Sequence, residues 1–347
     1  MHENLIRPEL VGPALARALD DPRWARFGAE LVAGGKSNLT FVLTSDAGTV
    51  VLRRPPDGPL LPRAHDMGRE ARIQRALAPT AVPVPAILLE DGGELIGVPF
   101  YVMEKVEGYV VRDDLPAGYA ETEQDRHGIA DVLIDTLADL HAVDPAEVGL
   151  GDFGRPAGYA ERQVRTWSKQ WERSKSRDIP AVEELARRLQ ADPPAGPGGS
   201  IVHGDYRLDN CIMAARMPPQ VVAVLDWELA TLGDPLADLA MTLFYWREAG
   251  DIKPSLTPAP SMLPGFPPRS YLADRYAKRT GADLSDLTAY VALAHFKSAV
   301  IAQGIAARVQ AGSMAGQDFG NLDAEIDRIA AEGLELLGER SGPWISR

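Results

Sequence analysis

The chain has 347 residues, of which 45% are hydrophobic and 24% charged, as is typical of a globular protein with about two domains. Its formal net charge of −13 argues against non-specific nucleic-acid binding, which needs basic patches. Cys211 is the only cysteine, so no intrachain disulfide can form and a reducing compartment is indicated. Because neither a long apolar run nor a cationic leader is evident, we expect a cytoplasmic protein that does not contact membranes.

The first third of the chain consists of short β-rich runs separated by glycine and proline turns. Its predicted elements are a helical lead-in over 1–29, a hairpin and third strand over 31–53, a helix over MGREARIQRAL, and strands over 86–90 and 98–103. The hairpin turns at Gly34 and Gly35, where backbone N–H groups could approach phosphate closely. This part therefore predicts a small antiparallel sheet with one helix.

The remainder is mainly helical by its apolar periodicity. The predicted helical segments are 122–143, 158–191, 284–311 (as a helix pair) and 321–338, and a proline-rich loop covers 254–268. Within them, His295 and Lys297 are interpreted as helix-face residues, and His141 as a packing and hydrogen-bonding residue.

The stretch from Ser200 to Leu239 carries the polar residues that indicate chemistry. One short apolar run leads into His203-Gly204-Asp205, Asn210 follows five positions after Asp205, and a second apolar run ends in Asp226. Two carboxylates and an amide oxygen form the all-oxygen ligand set that Mg²⁺ prefers. Phosphoryl transfer needs such a set, together with a carboxylate that orients the attacking hydroxyl.

The motifs HGDYRLDN and LDWELATLGDPLADLA resemble the aminoglycoside phosphotransferase (APH) family of small-molecule kinases. The resemblance is greatest to the branch that also occurs fused to acyl-CoA dehydrogenases. It implies that Asp205 is the catalytic aspartate, that Asn210 and Asp226 are Mg²⁺ ligands, and that His203 has a mainly structural role in the catalytic loop. It further implies that Asp234 and Asp238 belong to a motif that supports this loop.

The same resemblance implies a nucleotide site in the first third of the chain. Its implied residues are Gly34, Gly35, Ser37 and Asn38 in the covering hairpin, Arg53 paired with Glu70, and the backbone near Glu104 and Val106 for the adenine. Arg53 takes the position where most kinases have a phosphate-binding lysine. Strand alternation leaves Arg54 open as the alternative.

Four further residues have two interpretations each. Trp167 and Trp171, four residues apart, either pin a helix to the body of the protein or line the acceptor site. Asp209 has either a solvated or capping role or a role in the site. Cys211 is either a buried filler or an oxidisable thiol near the site.

We expect an α+β, bilobal, protein-kinase-like fold, with an antiparallel-sheet N-lobe over 1–105 and a larger, mainly helical C-lobe over 106–347. The expected activity is Mg²⁺-assisted transfer of the γ-phosphoryl group of ATP or GTP to a hydroxyl of a small molecule. The fused relatives suggest a hydroxyacyl or hydroxyacyl-CoA acceptor. The alternatives are an aminoglycoside-type antibiotic kinase, a metal-dependent hydrolase, and a non-catalytic nucleotide-binding protein.

Overall fold

The computed structural model describes residues 3–32, 38–56, 65–312 and 319–338. Its α-helices are α1 (Glu3–Ile6), α2 (Pro8–Ala18), α3 (Met67–Leu77), α4 (Glu123–Ala142), α5 (Tyr159–Ser174), α6 (Pro180–Ala191), α7 (Pro235–Tyr245), α8 (Arg269–Thr280), α9 (Leu287–Gln310) and α10 (Leu322–Gly338). Its strands are β1 (Gly28–Leu31), β2 (Leu39–Ser45), β3 (Gly48–Arg54), β4 (Ile87–Asp91), β5 (Phe100–Glu104), β6 (Tyr109–Val110), β7 (Ser200–Val202), β8 (Cys211–Met213), β9 (Val221–Val224) and β10 (Thr231–Gly233). The predicted α+β class is confirmed.

The chain divides into two compact units. The first combines Met1–Gly108 with Val222–Ala230, and the second combines Tyr109–Val221 with Thr231–Arg347. Val222–Ala230 lies within the predicted C-lobe of 106–347. In the structure, the backbone N–H of Val224 in this segment donates to the carbonyl of Pro83 at 2.8 Å. An apolar run alone does not indicate which part of a chain it will join.

The first unit is built on a five-stranded antiparallel sheet with the order β1-β2-β3-β5-β4. Alternate residues of β2 and β3 are buried on one face, where they pack against the N-terminal helices. The other face carries Tyr101 and Met103 of β5, which pack against Met67 and Ala71 of α3. The predicted strands β2 and β3 and the following helix α3 are present. Strand β1 (Gly28–Leu31) instead begins within the predicted helical lead-in and ends where the hairpin was predicted to start, and the predicted turn lies outside the described residues.

Helix α3 begins at an Asp66 cap, whose side chain accepts the backbone N–H of Arg69 at 3.0 Å. Its buried face includes Ile73 and Leu77, and it also includes the carboxylate of Glu70. A charged side chain on the apolar face of a helix requires a partner. This position brings Glu70 towards β3.

The second unit is mainly helical. The long helix α4 begins with a reciprocal capping box between Thr122 and Asp125, as expected for a strong helix start. The predicted helical region over 158–191 consists of two helices, α5 and α6, and Pro180 occupies the first turn of α6.

The predicted helix pair over 284–311 is wrong, because α9 is one continuous helix of 24 residues. Gly304 lies within it without interrupting it, and the segment contains no proline that would break the hydrogen-bond ladder. By length and composition α9 could also cross a membrane, which the sequence analysis did not anticipate; 78% of its apolar window is buried inside the protein, as in a core helix.

Candidate active site

The loop after β7 presents Asp205. Strand β7 pairs antiparallel with β10, and the chain then turns through Gly204 at a φ of 85°, a conformation that favours glycine. The backbone N–H of Asp205 donates to His203 Nδ1 at 3.2 Å, which agrees with a structural role for this buried histidine. The hydroxyl of Tyr206 donates to the carbonyl of Leu133 in α4 at 2.8 Å, so the loop is anchored to the helical body.

Asn210 folds back onto Asp205. Its Nδ2 donates to the backbone carbonyl of Asp205 at 2.8 Å and to the Asp205 carboxylate at 3.1 Å. Because the amide nitrogen faces Asp205, the amide oxygen points elsewhere and can serve as a metal ligand. The metal-ligand role of Asn210 stays a prediction.

Arg207 lies between two carboxylates of this loop. It is 3.3 Å from Asp205 and 3.3 Å from Asp209, and its guanidinium stacks over the ring of Tyr245 at 4.9 Å. Burial raises the pKa of Asp209, and Arg207 opposes this shift. Asp209 and Arg207 also line a small cavity with Pro258 and Pro260 of the proline-rich loop, so a freely solvated role for Asp209 is not what the structure shows.

Asp238 holds the backbone of the catalytic loop in place. Its carboxylate accepts the backbone N–H groups of His203 at 2.5 Å and of Gly204 at 2.7 Å, and it lies 3.4 Å from His141 Nε2. Burial would raise the pKa of Asp238, but the hydrogen bonds from His141 and the loop lower it below its ordinary value. Asp234 instead caps α7 by accepting the N–H of Leu236 at 3.0 Å.

In the first unit, the structure distinguishes the two adjacent arginines of β3. Arg53 is 2.9 Å from Glu70, is hydrogen-bonded to Asp226, and lies 3.9 Å from Glu228. Arg54 is buried elsewhere and donates to the carbonyls of Leu5 at 2.5 Å and Pro55 at 3.0 Å. Arg53 therefore has the expected carboxylate partner, and its contact with phosphate remains a prediction.

The surroundings of Arg53 are rich in negative charge. Asn38 Nδ2 donates to Glu70 at 3.0 Å and to Glu228 at 3.3 Å, and the Tyr101 hydroxyl donates to Glu70 at 3.0 Å. Burial raises the pKa of Glu70 to about 7, against the attraction of Arg53. Burial also opposes the charge of Arg53, but its carboxylate neighbours outweigh that cost and raise its pKa.

Asp226 adopts a left-handed backbone conformation, with a φ of 66°, directly before the 3-10 helix Trp227–Leu229. This conformation is uncommon for a residue other than glycine and is frequent at functional positions. Three carboxylates surround one guanidinium here, those of Glu70, Asp226 and Glu228. Among the described residues, no group of three or more His, Cys, Asp or Glu side chains is placed to hold a metal ion, so the Mg²⁺-ligand role of Asp226 stays a prediction.

The remaining predicted nucleotide positions are less informative. Gly34, Gly35 and Ser37 lie outside the described residues. Glu104 ends β5 with an exposed side chain, and its backbone N–H already donates to the carbonyl of Ala86 at 2.9 Å. Val106 follows in an irregular, partly buried segment. Adenine contacts at these residues stay predictions.

Lys297, which the sequence analysis interpreted as a helix-face residue, contacts the catalytic loop. Its Nζ donates to the carbonyl of Gly204 at 2.6 Å and lies 5.7 Å from the ring centroid of Trp167. The available signal was a lysine among mainly apolar residues of α9, close to His295, and that signal does not indicate a partner. Trp171 is buried in the core, as expected of a residue that pins α5 to the body of the protein. Trp167 and Lys297 line a small cavity beside Gly204, and a role of Trp167 in the acceptor site stays a prediction.

Cys211 is buried at the start of β8. Burial raises the pKa of its thiol to about 12, which favours the interpretation as a filler.

The chain is similar to known proteins over most of its length. Residues 28–259 match the model of the APH phosphotransferase enzyme family. The human and rat proteins named acyl-CoA dehydrogenase family member 11 are each 38% identical, over 89% and 87% of this chain. The chain spans only 41% and 39% of the length of these relatives.

Solved structures show the same fold. A Ralstonia eutropha protein provisionally classed as an aminoglycoside phosphotransferase is 33% identical, with a TM-score of 0.77 over 90% of this chain and 92% of its own. The phosphotransferase APH(4)-Ia, solved with AMP-PNP and hygromycin B, has a TM-score of 0.59 at 16% identity, over 94% of this chain and 98% of its own. The matched residues and the relatives together show that this chain belongs to the APH phosphotransferase enzyme family and has its kinase-like fold.

Proposed function

We propose that this phosphotransferase uses Asp205 to direct the transfer of the γ-phosphoryl group of ATP to a hydroxyl of a small molecule. The observation that carries the proposal is the catalytic loop, where Asn210 contacts the Asp205 carboxylate while Asp238 fixes the backbone beneath it. A carboxylate held in this way can orient a hydroxyl, and positioning is the main contribution a protein makes to phosphoryl transfer.

In the proposed step, the acceptor oxygen forms a bond to the γ-phosphorus as the bond between that phosphorus and the β,γ-bridging oxygen breaks. ADP leaves with the bridging oxygen, and the hydroxyl proton passes to the Asp205 carboxylate. A hydrolase would direct water to the same phosphorus, so acceptor dependence separates the two reactions. GTP is the alternative donor.

Charged and polar residues would hold the nucleotide and the metal. Arg53, supported by Glu70, offers a guanidinium fork that suits phosphate oxygens. Asn210 and Asp226 would hold Mg²⁺, which when bound neutralises charge on the phosphates. APH(4)-Ia was solved with an ATP analogue, which supports ATP as the donor for this chain.

The proposed acceptor is a hydroxyacyl compound, either the free acid or its CoA thioester, and not a polycationic antibiotic. A cavity beside Gly204 is lined by Gln163, Trp167 and two charged residues, Lys297 and Asp238. This cavity carries one positive and one negative charge, so its charge alone does not select the acceptor. The similarity to proteins named for acyl-CoA dehydrogenation supports an acyl acceptor.

The test compares the unmodified chain with Asp205→Asn. MgATP binding is measured by calorimetry, and ADP release is measured with hydroxy acids, their CoA thioesters, hygromycin B or water alone as acceptor. We expect Asp205→Asn to bind MgATP with a Kd within about threefold and to lose at least about 10²-fold in acceptor-dependent turnover.

Asp178→Asn, an exposed change beyond the end of α5, is the matched control and should behave as the unmodified chain. Turnover that persists in Asp205→Asn would contradict the assignment of Asp205. Phosphate release that no acceptor increases would favour the hydrolase, and turnover with hygromycin B alone would favour the antibiotic kinase.

A further inference from the structure

We propose that Lys297 is a positioning residue for phosphoryl transfer, which fixes the Gly204 peptide group and thereby the direction in which Asp205 points. This inference rests on the proposed function of Asp205. It assigns a role in the reaction to α9, which is remote in sequence from the catalytic loop.

The hydrogen bonds of the Gly204 peptide groups support this role. Gly204 has no side chain that could hold it in place. Its backbone can adopt many conformations besides the observed left-handed one, with a φ of 85°. Its N–H is held by Asp238 of α7 at 2.7 Å, and its carbonyl is held by Lys297 of α9 at 2.6 Å. Both polar groups of the residue before Asp205 are therefore fixed by charged side chains from two different helices.

The cost of desolvating a charged side chain supports the same role. Lys297 is partly buried, and burial lowers the pKa of its ammonium group against the attraction of Asp205 and Asp238. Methionine has a similar length and would pack here without the desolvation of a charge. One hydrogen bond to a neutral carbonyl offsets that cost only in part, so packing alone does not account for a lysine here.

The location of the Lys297 ammonium group also supports this role. The ammonium group borders the cavity that Gln163 and Trp167 of α5 also line, beside the Gly204–Asp205 turn. A change at Lys297 therefore acts on the backbone directly before the proposed catalytic Asp205. The proposed phosphate-binding residues Arg53 and Glu70 belong to the other unit, so we expect the affinity for MgATP to change much less than kcat.

The experiment compares the unmodified chain with Lys297→Met, Lys297→Arg and the exposed control Lys278→Met on α8. Each protein is measured for Tm, for the Kd of MgATP by calorimetry, and for kcat and KM with the acceptor found by the screen described above. We expect Lys297→Met to lower kcat by about 10²-fold, with the KM for MgATP and its Kd within about threefold, because a small misplacement of a reacting group has this effect.

Lys297→Arg keeps the charge and a donor, and we expect it to recover kcat to within about tenfold of the unmodified chain. Equal losses in Lys297→Met and Lys297→Arg would overturn the inference in favour of a packing role, as would full activity in Lys297→Met. An unmodified chain that binds no MgATP or transfers no phosphoryl group would overturn the proposed function itself, and this inference with it. Activity in the unmodified chain and in Lys297→Met together would overturn only the role of Lys297.

Discussion

The carboxylate of Asp238 accepts the backbone N–H of Gly204 at 2.7 Å, one residue before the proposed catalytic aspartate. Asp238→Asn keeps the shape of this side chain, but it removes the charge and one of the acceptor oxygens that the loop amides need. We expect turnover to fall by about 10- to 100-fold and the Tm to decrease, because a buried N–H loses its partner. Steady-state kinetics and thermal denaturation measure both.

The surface variant Asp139→Asn on α4, where the carboxylate pairs with Arg279, is the control. It should change the free energy of unfolding by no more than about 1 kcal/mol. Unchanged turnover in Asp238→Asn would show that the loop holds its conformation without this carboxylate.

Adjacent arginines of β3 should have separable effects. Arg53→Met removes the guanidinium that Glu70 and Asp226 hold, and we expect the affinity for MgATP to fall by about 10- to 100-fold. Arg54→Met should instead lower the Tm with little change in affinity, because Arg54 is buried and bonded to the carbonyls of Leu5 and Pro55. Calorimetry and thermal denaturation of both variants test this, and a reversal of the two effects would refute the assignment of Arg53.

The contact between α9 and α10 should give the protein acid sensitivity. Glu332 lies 3.5 Å from His295, 3.3 Å from the buried Arg247 and 2.7 Å from Arg328. Burial would raise its pKa, but these partners together lower it well below the ordinary value near 4.5. A carboxyl group with a lowered folded-state pKa stabilises the fold above its unfolded-state pKa, and this contribution disappears as the pH falls below about 4.5.

Glu332→Gln should therefore lower the free energy of unfolding at pH 7 by about 1–3 kcal/mol, after allowance for its partial exposure. It should also flatten the fall in stability between about pH 5 and pH 3. Denaturant titrations across this range measure both effects. A curve parallel to that of the unmodified chain would mean that other carboxylates account for the acid sensitivity.

Cys211 should be unreactive in the folded protein. It is fully buried, and its thiol pKa of about 12 leaves almost no thiolate at pH 8. We expect iodoacetamide to leave Cys211 unmodified in native conditions and to alkylate it in denaturant, as measured by mass spectrometry. Rapid alkylation of the native protein would restore the interpretation as an oxidisable thiol.

The elements of the fold were predictable wherever hydrophobic periodicity and turn chemistry agreed. The capped start of α4, the hairpin strands and α10 follow directly from such local signals. The continuity of α9 was missed, because an internal glycine such as Gly304 is tolerated when the helix is buried on most sides. The spacing of Asp205 and Asn210 likewise predicted their proximity, since both lie on one short loop.

Long-range partners were the part that local patterns could not supply. Which of Arg53 and Arg54 meets Glu70 depends on the face that β3 presents to α3. Lys297 meets Gly204 across 93 positions of sequence, and no periodicity within α9 encodes that contact. Such pairings arise from tertiary packing, so they become visible only in three dimensions.

The segment Val222–Ala230 belongs to the first unit but is synthesised long after the rest of it, which affects folding during translation. A ribosome that has completed residue 108 has synthesised the five-stranded sheet and Arg53, but not yet the Asp226 and Glu228 carboxylates that neutralise this arginine. Domains commonly fold as units during synthesis, starting from the N-terminus. A fragment that ends at residue 108 would keep Glu70 as the partner of Arg53 but would lack Asp226 and Glu228, so the charge pairing of the N-terminal unit is complete only after translation has passed Ala230.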